Sequence, residues 1–333
     1  MTTLADIARE AQCSVGLVSY VLKKTTPVKS EKHKRILEIA QELDYVPNKM
    51  ASAMITQRTN NVTLLLGGNY YLNLRQTFFI EYLNALTCLF TERGIGVILY
   101  AVADNREEEI KKIVFNSSSD GVIWYMGHVS DNMKQLLAKH QYPSLVVLGQ
   151  DEVVDYINTD DYGSEYKALQ YLYSQNHRRI LFGGESNSPR FEAYRDFVRD
   201  YGLAYMQQLE MKGSFDYQNR LLMESYLQKN GLDFTAVVFA QDSVAIDALH
   251  YFESKHIRVP QDVSVIGYDD LPESRYTFPP LTTVRQDYEQ LARKTVEYMM
   301  ARIHNKDDRS AVKQTLVQNL VLRNSVARIA PET

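Results

Sequence analysis

Apolar residues recur at three- and four-residue steps through the first fifty positions, whereas beyond residue 60 they gather in short unbroken runs separated by helix-period stretches. Leu4, Ile7, Ala8 and Ala11 share one helical face, and Thr2 or Thr3 is placed to cap it. After Gln12 and Cys13, Ser14 can cap a second helix over 15–22. One face of that helix is apolar through Leu17, Val18, Val21 and Leu22, and the opposite face carries Val15, Gly16, Ser19 and Tyr20. Pro27 and Ser30 open a longer helix over 31–43, expected to bury Ile36, Leu37, Ile39, Ala40 and Leu43. Its first turn holds Lys32, His33, Lys34 and Arg35, cations that oppose the helix dipole and so suit a site beside a phosphate backbone.

Pro47 begins a segment over 48–55, rich in alanine and methionine and too short to hold a helix in water, so it should order only on a partner. A polar linker follows through Asn61. Strands are then expected at 62–67, 97–100, 121–125 and 145–148, alternating with helices at 78–93, 107–115 and 133–140. The cycle restarts after Asp160 and Asp161, with helices near 163–175, 190–201, 219–229 and 243–255 and strands near 179–182, 208–212, 236–240 and 263–267. Near-continuously apolar strands separated by helices mean parallel doubly wound sheets, here two of similar length with a cleft at the strands' carboxyl ends. A helix over 289–303 would return to the first lobe and 316–322 would cross back. The expected division is a three-helix unit over 1–47, a hinge helix and linker over 48–61, and a core over 62–333. Within the core one lobe takes about 62–159 and 288–317, the other about 160–287 and 318–330.

Composition is ordinary for a globular chain of 333 residues, 45% hydrophobic and 23% charged. The net charge of −4 argues against a nucleic-acid binder only until it is divided. Residues 1–60 hold nine Lys/Arg against six Asp/Glu, so a small basic unit precedes an acidic remainder. Cys13 and Cys88 lie far apart, which argues against disulfides and metal sites. With no signal-peptide stretch and no apolar run of the ~20 residues a bilayer needs, a cytoplasmic protein without membrane contact is expected. No nucleophile elbow, HExxH, Walker motif or cysteine–histidine cluster occurs, so neither an enzyme nor a bound cofactor is expected. Gly94-Ile95-Gly96 precedes a strand rather than joining strand to helix, so it reads as a helix stop. Gly183-Gly184 follows a strand and reads as a cleft-lining loop.

Two short helices joined by a tight turn and braced by a third describe a helix-turn-helix whose second helix enters the major groove. The run from Thr3 through Asp6-Ile7-Ala8, Ser14 and Val18-Ser19, then Tyr45-Val46-Pro47-Asn48 and Ala51 with Met54, resembles the headpiece of the lactose/galactose-repressor family of bacterial transcription regulators. Val265-Ile266-Gly267-Tyr268-Asp269-Asp270 and Pro279-Pro280-Leu281-Thr282-Thr283 extend the resemblance into the C-terminal half. It implies a homodimer on palindromic operator DNA, contacted through Thr3, Ser14, Val15, Gly16, Ser19 and Tyr20. Asn48, Ala51 and Met54 would contact DNA from the hinge, with Met54 as the minor-groove wedge. Tyr20 stands where the family usually has arginine, and Leu17 where it usually has threonine. The C-terminal residues 324–333 carry no leucine heptads, so a dimer rather than a tetramer is expected.

Effector contacts follow first from chain geography, as polar or aromatic residues just past strand carboxyl ends: Phe78, Phe79, Arg190, Phe215, Gln241, Asp242, Asp269 and Asp270, with Trp124 a weaker candidate. The resemblance adds Gln286. Carboxylates and amides beside an aromatic face suit a sugar or sugar phosphate. Asp242 and Asp269 equally suit helix caps, with Arg190 pairing one of them. The implied function is a DNA-binding regulator, most simply a repressor, controlled by a carbohydrate effector. A regulator dependent on a purine or phosphoprotein co-repressor is the alternative, followed by a plain sugar-binding module.

Overall fold

Three helices described in the N-terminal part pack on one small core. The computed structural model of the chain describes residues 2–23, 30–46, 58–67, 77–103, 105–206, 208–211, 217–305 and 310–330. These fall into two compact units, Met1–Thr59 and Asn60–Thr333. In the first, α1 (Leu4–Glu10) starts on a reciprocal cap: the Asp6 N–H donates to Thr3 Oγ1 at 3.3 Å, and the Thr3 N–H donates to the Asp6 carboxylate at 2.9 Å. α2 (Val15–Lys23) starts on Ser14, whose Oγ accepts from the Leu17 N–H at 3.3 Å. α3 is Glu31–Glu42. Ile7, Ala8, Val18, Val21, Ile36, Ile39 and Ala40 form the core. Leu37 and Leu43 were expected inside but are 38% and 37% exposed. Leu37 lies one step of about 100° round the helix from Ile36, and Leu43 lies past the last turn.

The second unit contains two six-stranded sheets. The first is built along the chain by β1 (Asn61–Leu66), α4 (Thr77–Thr91), β2 (Gly96–Ala101), α5 (Glu107–Phe115), β3 (Val122–Tyr125), α6 (Asp131–His140), β4 (Ser144–Val147) and β5 (Tyr156–Thr159). The second follows with α7 (Asp161–Ser174), β6 (Ile180–Gly184), α8 (Pro189–Asp200), β7 (Leu209–Glu210), α9 (Tyr217–Asn230), β8 (Ala236–Phe239), α10 (Asp242–Ser254), β9 (Ser264–Asp269), a 3-10 turn (Pro272–Arg275) and β10 (Thr282–Arg285). The chain then returns through α11 (Tyr288–His304) and β11 (Lys313–Leu316) to the first sheet and ends on β12 (Asn319–Val321) in the second. The strand orders are β2-β1-β3-β4-β5-β11 and β7-β6-β8-β9-β10-β12. The pairings are parallel, apart from antiparallel β10 and β12.

Strands β1, β3, β6 and β8 are buried along nearly their whole length because helices cover both sheet faces, which explains their unbroken apolar runs. The first lobe's main core joins Leu64, Phe79, Tyr82 and Tyr125 to Leu291, Val296 and Met299 of the returning α11. The second lobe has a core on each face of its sheet. Gly94, with φ +71, follows α4 and lets the chain turn into β2. Gly183 and Gly184 have no room for side chains: a Cβ would lie 2.6 Å from Phe239 and 2.5 Å from Ala240, respectively. Close approach of β6 to β8 therefore accounts for that pair.

Candidate effector cleft and DNA-facing helix

Each sheet reverses its strand order once, between β1 and β3 and between β6 and β8, and ligands of such sheets bind beyond the strands' carboxyl ends at that point. A cavity of about 390 Å³ lies there, lined from the first lobe by Phe78, Tyr125, Met126, Leu148 and Asn158 and from the second by Glu185, Ser188, Arg190, Gln241 and Asp269. Five expected contacts therefore meet in one place: Phe78, Arg190, Gln241, Asp269 and Gln286. Phe78 sits in the first turn of α4, Arg190 in that of α8, Asp269 ends β9, and Gln241 and Gln286 lie just past β8 and β10.

Three expected contacts do not reach the cavity: Phe79, Asp242 and Asp270. Phe79 is buried in the first lobe, its ring 4.9 Å from that of Tyr125, because it points a helical step away from Phe78. Asp242 is fully buried, accepting from Thr283 Oγ1 at 2.6 Å and the Leu271 N–H at 2.9 Å. It ties α10 to β10 and to the turn after β9. Burial, then the nearby Asp269, pushes its carboxyl up to about 8. Phe215 lies outside the described residues. Trp124 is buried on the other face of β3, and its neighbour Tyr125 lines the cleft instead.

Sequence reasoning also missed the partner of Arg190, which is Asp161 rather than Asp242 or Asp269. Arg190 Nη2 donates to Asp161 Oδ2 at 3.0 Å, Nη1 donates to the Ala240 carbonyl, and the guanidinium lies 3.6 Å from the centre of the Tyr268 ring. Asp161 follows the end of β5, so the rule that selected the other candidates would have found it had β5 been recognised. Asp269 accepts from Gln286 Nε2 at 2.6 Å, and its carboxylate also meets the Asp242 N–H at the start of α10. Burial raises Asp269 to about 6 against the opposing pull of Arg190 and Gln286. Its backbone φ is +124 and that of Asp270 is +57, a strained pair in non-glycine residues. Asp270 is held in place by Arg323. Behind Arg190, Glu165 is fully buried, and desolvation lifts it to about 8 despite the arginine's charge.

The three chain crossings each bring a polar side chain to this network. Asp161 lies in the first, Gln286 in the second and Gln318 in the third. Gln318 Oε1 accepts from the Tyr268 hydroxyl at 2.8 Å, and its Nε2 donates to Asp161 Oδ1 at 3.3 Å. Any ligand that moves Arg190 or Asp269 therefore pulls on the segments joining the lobes.

In the first unit, Val15 is 45% and Tyr20 50% exposed, Gly16 and Ser14 are exposed, and Ser19 is half-buried. Val18 and Val21 are buried on the opposite face of α2, as the periodicity requires. The Tyr20 ring meets that of His33 edge-on at 6.3 Å. Thr3 uses its hydroxyl within the α1 cap. Among the basic residues of α3, Lys34 pairs with Glu31, and Arg35 with Glu38 and Glu42. Asn48, Ala51 and Met54 lie outside the described residues.

Residues 3–48 match the model of bacterial regulatory proteins of the lacI family, and residues 169–326 match a periplasmic binding protein-like domain. The chain belongs to the lacI family. It is a DNA-binding transcription regulator with an effector-binding domain, not an enzyme. Its relatives include the transcriptional repressor PurR of Pasteurella multocida, 29% identical with 98% of this chain and 99% of the relative covered. Another is the transcriptional regulator CelR of Thermobifida fusca, 28% identical over 97% of this chain and 98% of the relative. The fold matches the lac repressor dimer bound to operator and the anti-inducer ONPF with a TM-score of 0.83 at 22% identity, covering 98% of this chain and 99% of that one. It also matches the CelR–cellobiose complex, with a TM-score of 0.68 at 26% identity over 98% and 100% of the two chains. No helix among the described residues is long and apolar enough to cross a membrane.

Proposed function

We propose that this lacI-family regulator is a repressor whose operator affinity is set by an uncharged sugar held between the lobes by Arg190, Asp269, Gln241 and Gln286, with Phe78 against its apolar face. The observation that carries this reading is the convergence of those five side chains, from distant stretches of sequence, on one cavity of about 390 Å³. Carboxylates and amides match hydroxyl groups, which donate and accept at one atom. Of the two sugar classes considered, the phosphorylated one fits less well: Arg190 is already paired to Asp161, and Asp269 and Glu185 line the same cavity. The cellobiose complex of CelR supports a carbohydrate, and the repressor relatives support the direction of control. Val15, Gly16, Ser19 and Tyr20, with Ser14 and Thr3 at the helix starts and Asn48, Ala51 and Met54 from the hinge segment, would read the operator as a homodimer.

The test is thermal melting of the purified protein with cellobiose, glucose, ribose, glucose 6-phosphate and hypoxanthine, followed by operator titration with each ligand that raises Tm. A neutral sugar that raises Tm and changes operator affinity is the expected result. Stabilisation by hypoxanthine or the sugar phosphate alone would overturn the assignment.

A further inference from the structure

Three side chains lining the cleft each carry a buried polar atom with no hydrogen-bond partner among the described residues: Tyr125 Oη, Gln241 Oε1 and Arg190 Nε. Buried polar groups are nearly always satisfied, and leaving one unmet costs its full desolvation. Three at one cavity therefore call for a common explanation. Their chemistry differs in an informative way. Arg190 Nε–H can only donate, Gln241 Oε1 can only accept, and the phenol of Tyr125 can do either.

The two jaws of the cleft also supply them separately. Tyr125 ends β3 of the first lobe, with its ring packed between Phe79 at 4.9 Å and Tyr82 at 5.5 Å. Gln241 and Arg190 belong to the second lobe, beyond β8 and at the start of α8. The Tyr125 phenol is raised well above its ordinary value, mainly by burial, with Tyr82 and the Asp269 carboxylate adding to the effect, so it stays protonated and near a carboxylate of the opposite lobe. Tyr82, by contrast, donates to Thr295 Oγ1 at 3.2 Å. Of these two stacked tyrosines, Tyr125 is thus the one without a bond inside its own lobe.

We propose that Tyr125 is a specificity-determining residue of the effector site: its hydroxyl binds a ligand hydroxyl from the first lobe while Gln241 and Arg190 bind from the second, so one polyol bridges both lobes. The inference rests on the reading of the cleft as a sugar site and names the contact that selects for it. A hydroxyl group satisfies all three atoms, since it accepts from Arg190, donates to Gln241 and does either for Tyr125. A phosphate oxygen has no proton for Gln241. The bridge also gives the ligand unequal contacts in two lobe arrangements, which any shift between them requires.

Tyr125→Phe removes the hydroxyl and keeps the stacked ring. Without ligand its Tm should equal or exceed that of the parent, because a buried group lacking a partner is lost. Its affinity for whichever of cellobiose, glucose or ribose binds the parent, measured by titration calorimetry, should fall about tenfold or more. Equal sugar affinity in the two proteins would overturn the proposal while leaving the sugar site standing. A Tm several degrees below the parent would overturn it independently, by showing that the hydroxyl has a structural partner. If none of the three sugars binds the parent, the sugar reading fails, and the proposal for Tyr125 falls with it whatever the variant's Tm. In that case a Tm at or above the parent's would still mark the hydroxyl as unmet.

Discussion

Arg190 enters the cleft with two of its five N–H groups bonded, to Asp161 and to the Ala240 carbonyl, so part of the guanidinium holds geometry and its Nε–H is left for the proposed ligand contact. Asp269 is poised differently, its carboxylate accepting from Gln286 and from the Asp242 N–H and its backbone held at positive φ. Strain of this kind costs about 1–3 kcal/mol and persists only where surrounding contacts fix it. Asp269→Ala is expected to abolish the effector response in an operator-binding assay while leaving operator affinity itself unchanged. If the carboxylate serves only the start of α10, the variant will instead melt lower and respond normally. Glu165 gives a pH prediction. Its folded value of about 8 is above the ordinary 4.5, so the stability it contributes is complete below 4.5 and is lost as pH rises towards 8. Glu165→Gln removes that dependence. It should be more stable than the parent at pH 8 by roughly 2–4 kcal/mol and nearly equal to it at pH 4.5, as read from urea melts.

The helices and buried strands could be read from periodicity, but the short strands β5, β10, β11 and β12 could not. β5, Tyr-Ile-Asn-Thr, alternates buried and half-buried positions over only four residues. β10 is Thr-Thr-Val-Arg, and its two threonines are fully buried though polar, Thr283 bonded to Asp242 and the Thr282 N–H to Ser325 Oγ. Missing β5 hid Asp161, and the alternation of β3 brings Tyr125 to the cleft in place of Trp124, the residue the sequence had offered. Phe78, Arg190, Gln241 and Asp269 were recoverable because the ends of buried strands can be located even when side-chain partners cannot, whereas Gln286, which follows the unread β10, came only from the family resemblance. At the same scale, α2 presents Val15, Gly16, Ser19 and Tyr20 outward because Val18 and Val21 hold it by the other face. A tyrosine cannot make arginine's bidentate contact to guanine, so binding-site selection should return half-sites altered from the usual family operator at one base pair. Tyr20→Ala should cost roughly 1–3 kcal/mol on the selected site and little on random duplex, in anisotropy titrations. Thr3→Ala breaks the α1 cap and should cost about 1 kcal/mol of stability.

Across the whole molecule, effector and operator communicate only if sugar binding favours one arrangement of the lobes, typically with a coupling of about 1–3 kcal/mol. Gln318 belongs to the third crossing and bonds both Tyr268 and Asp161. Gln318→Leu should therefore change the ratio of operator affinities with and without sugar by roughly 0.5–2 kcal/mol, while free operator affinity holds. Light scattering at micromolar concentration should give a dimer, and a stable tetramer would overturn that expectation.

The same crossings set the order in which the protein can be made. α11 fills the first lobe's core and β11 completes its sheet, yet both lie beyond Arg285, where the last parallel strand of the second sheet ends. On the ribosome the first lobe therefore waits, with one side of its core uncovered, until the parallel strands of the second lobe and then α11 have emerged. The N-terminal helices, whose core among the described residues runs from Leu4 to Tyr45, can fold at once. The DNA-reading unit can thus be finished before the sensing unit that governs it, whose first lobe closes only after the second lobe's strands have been made.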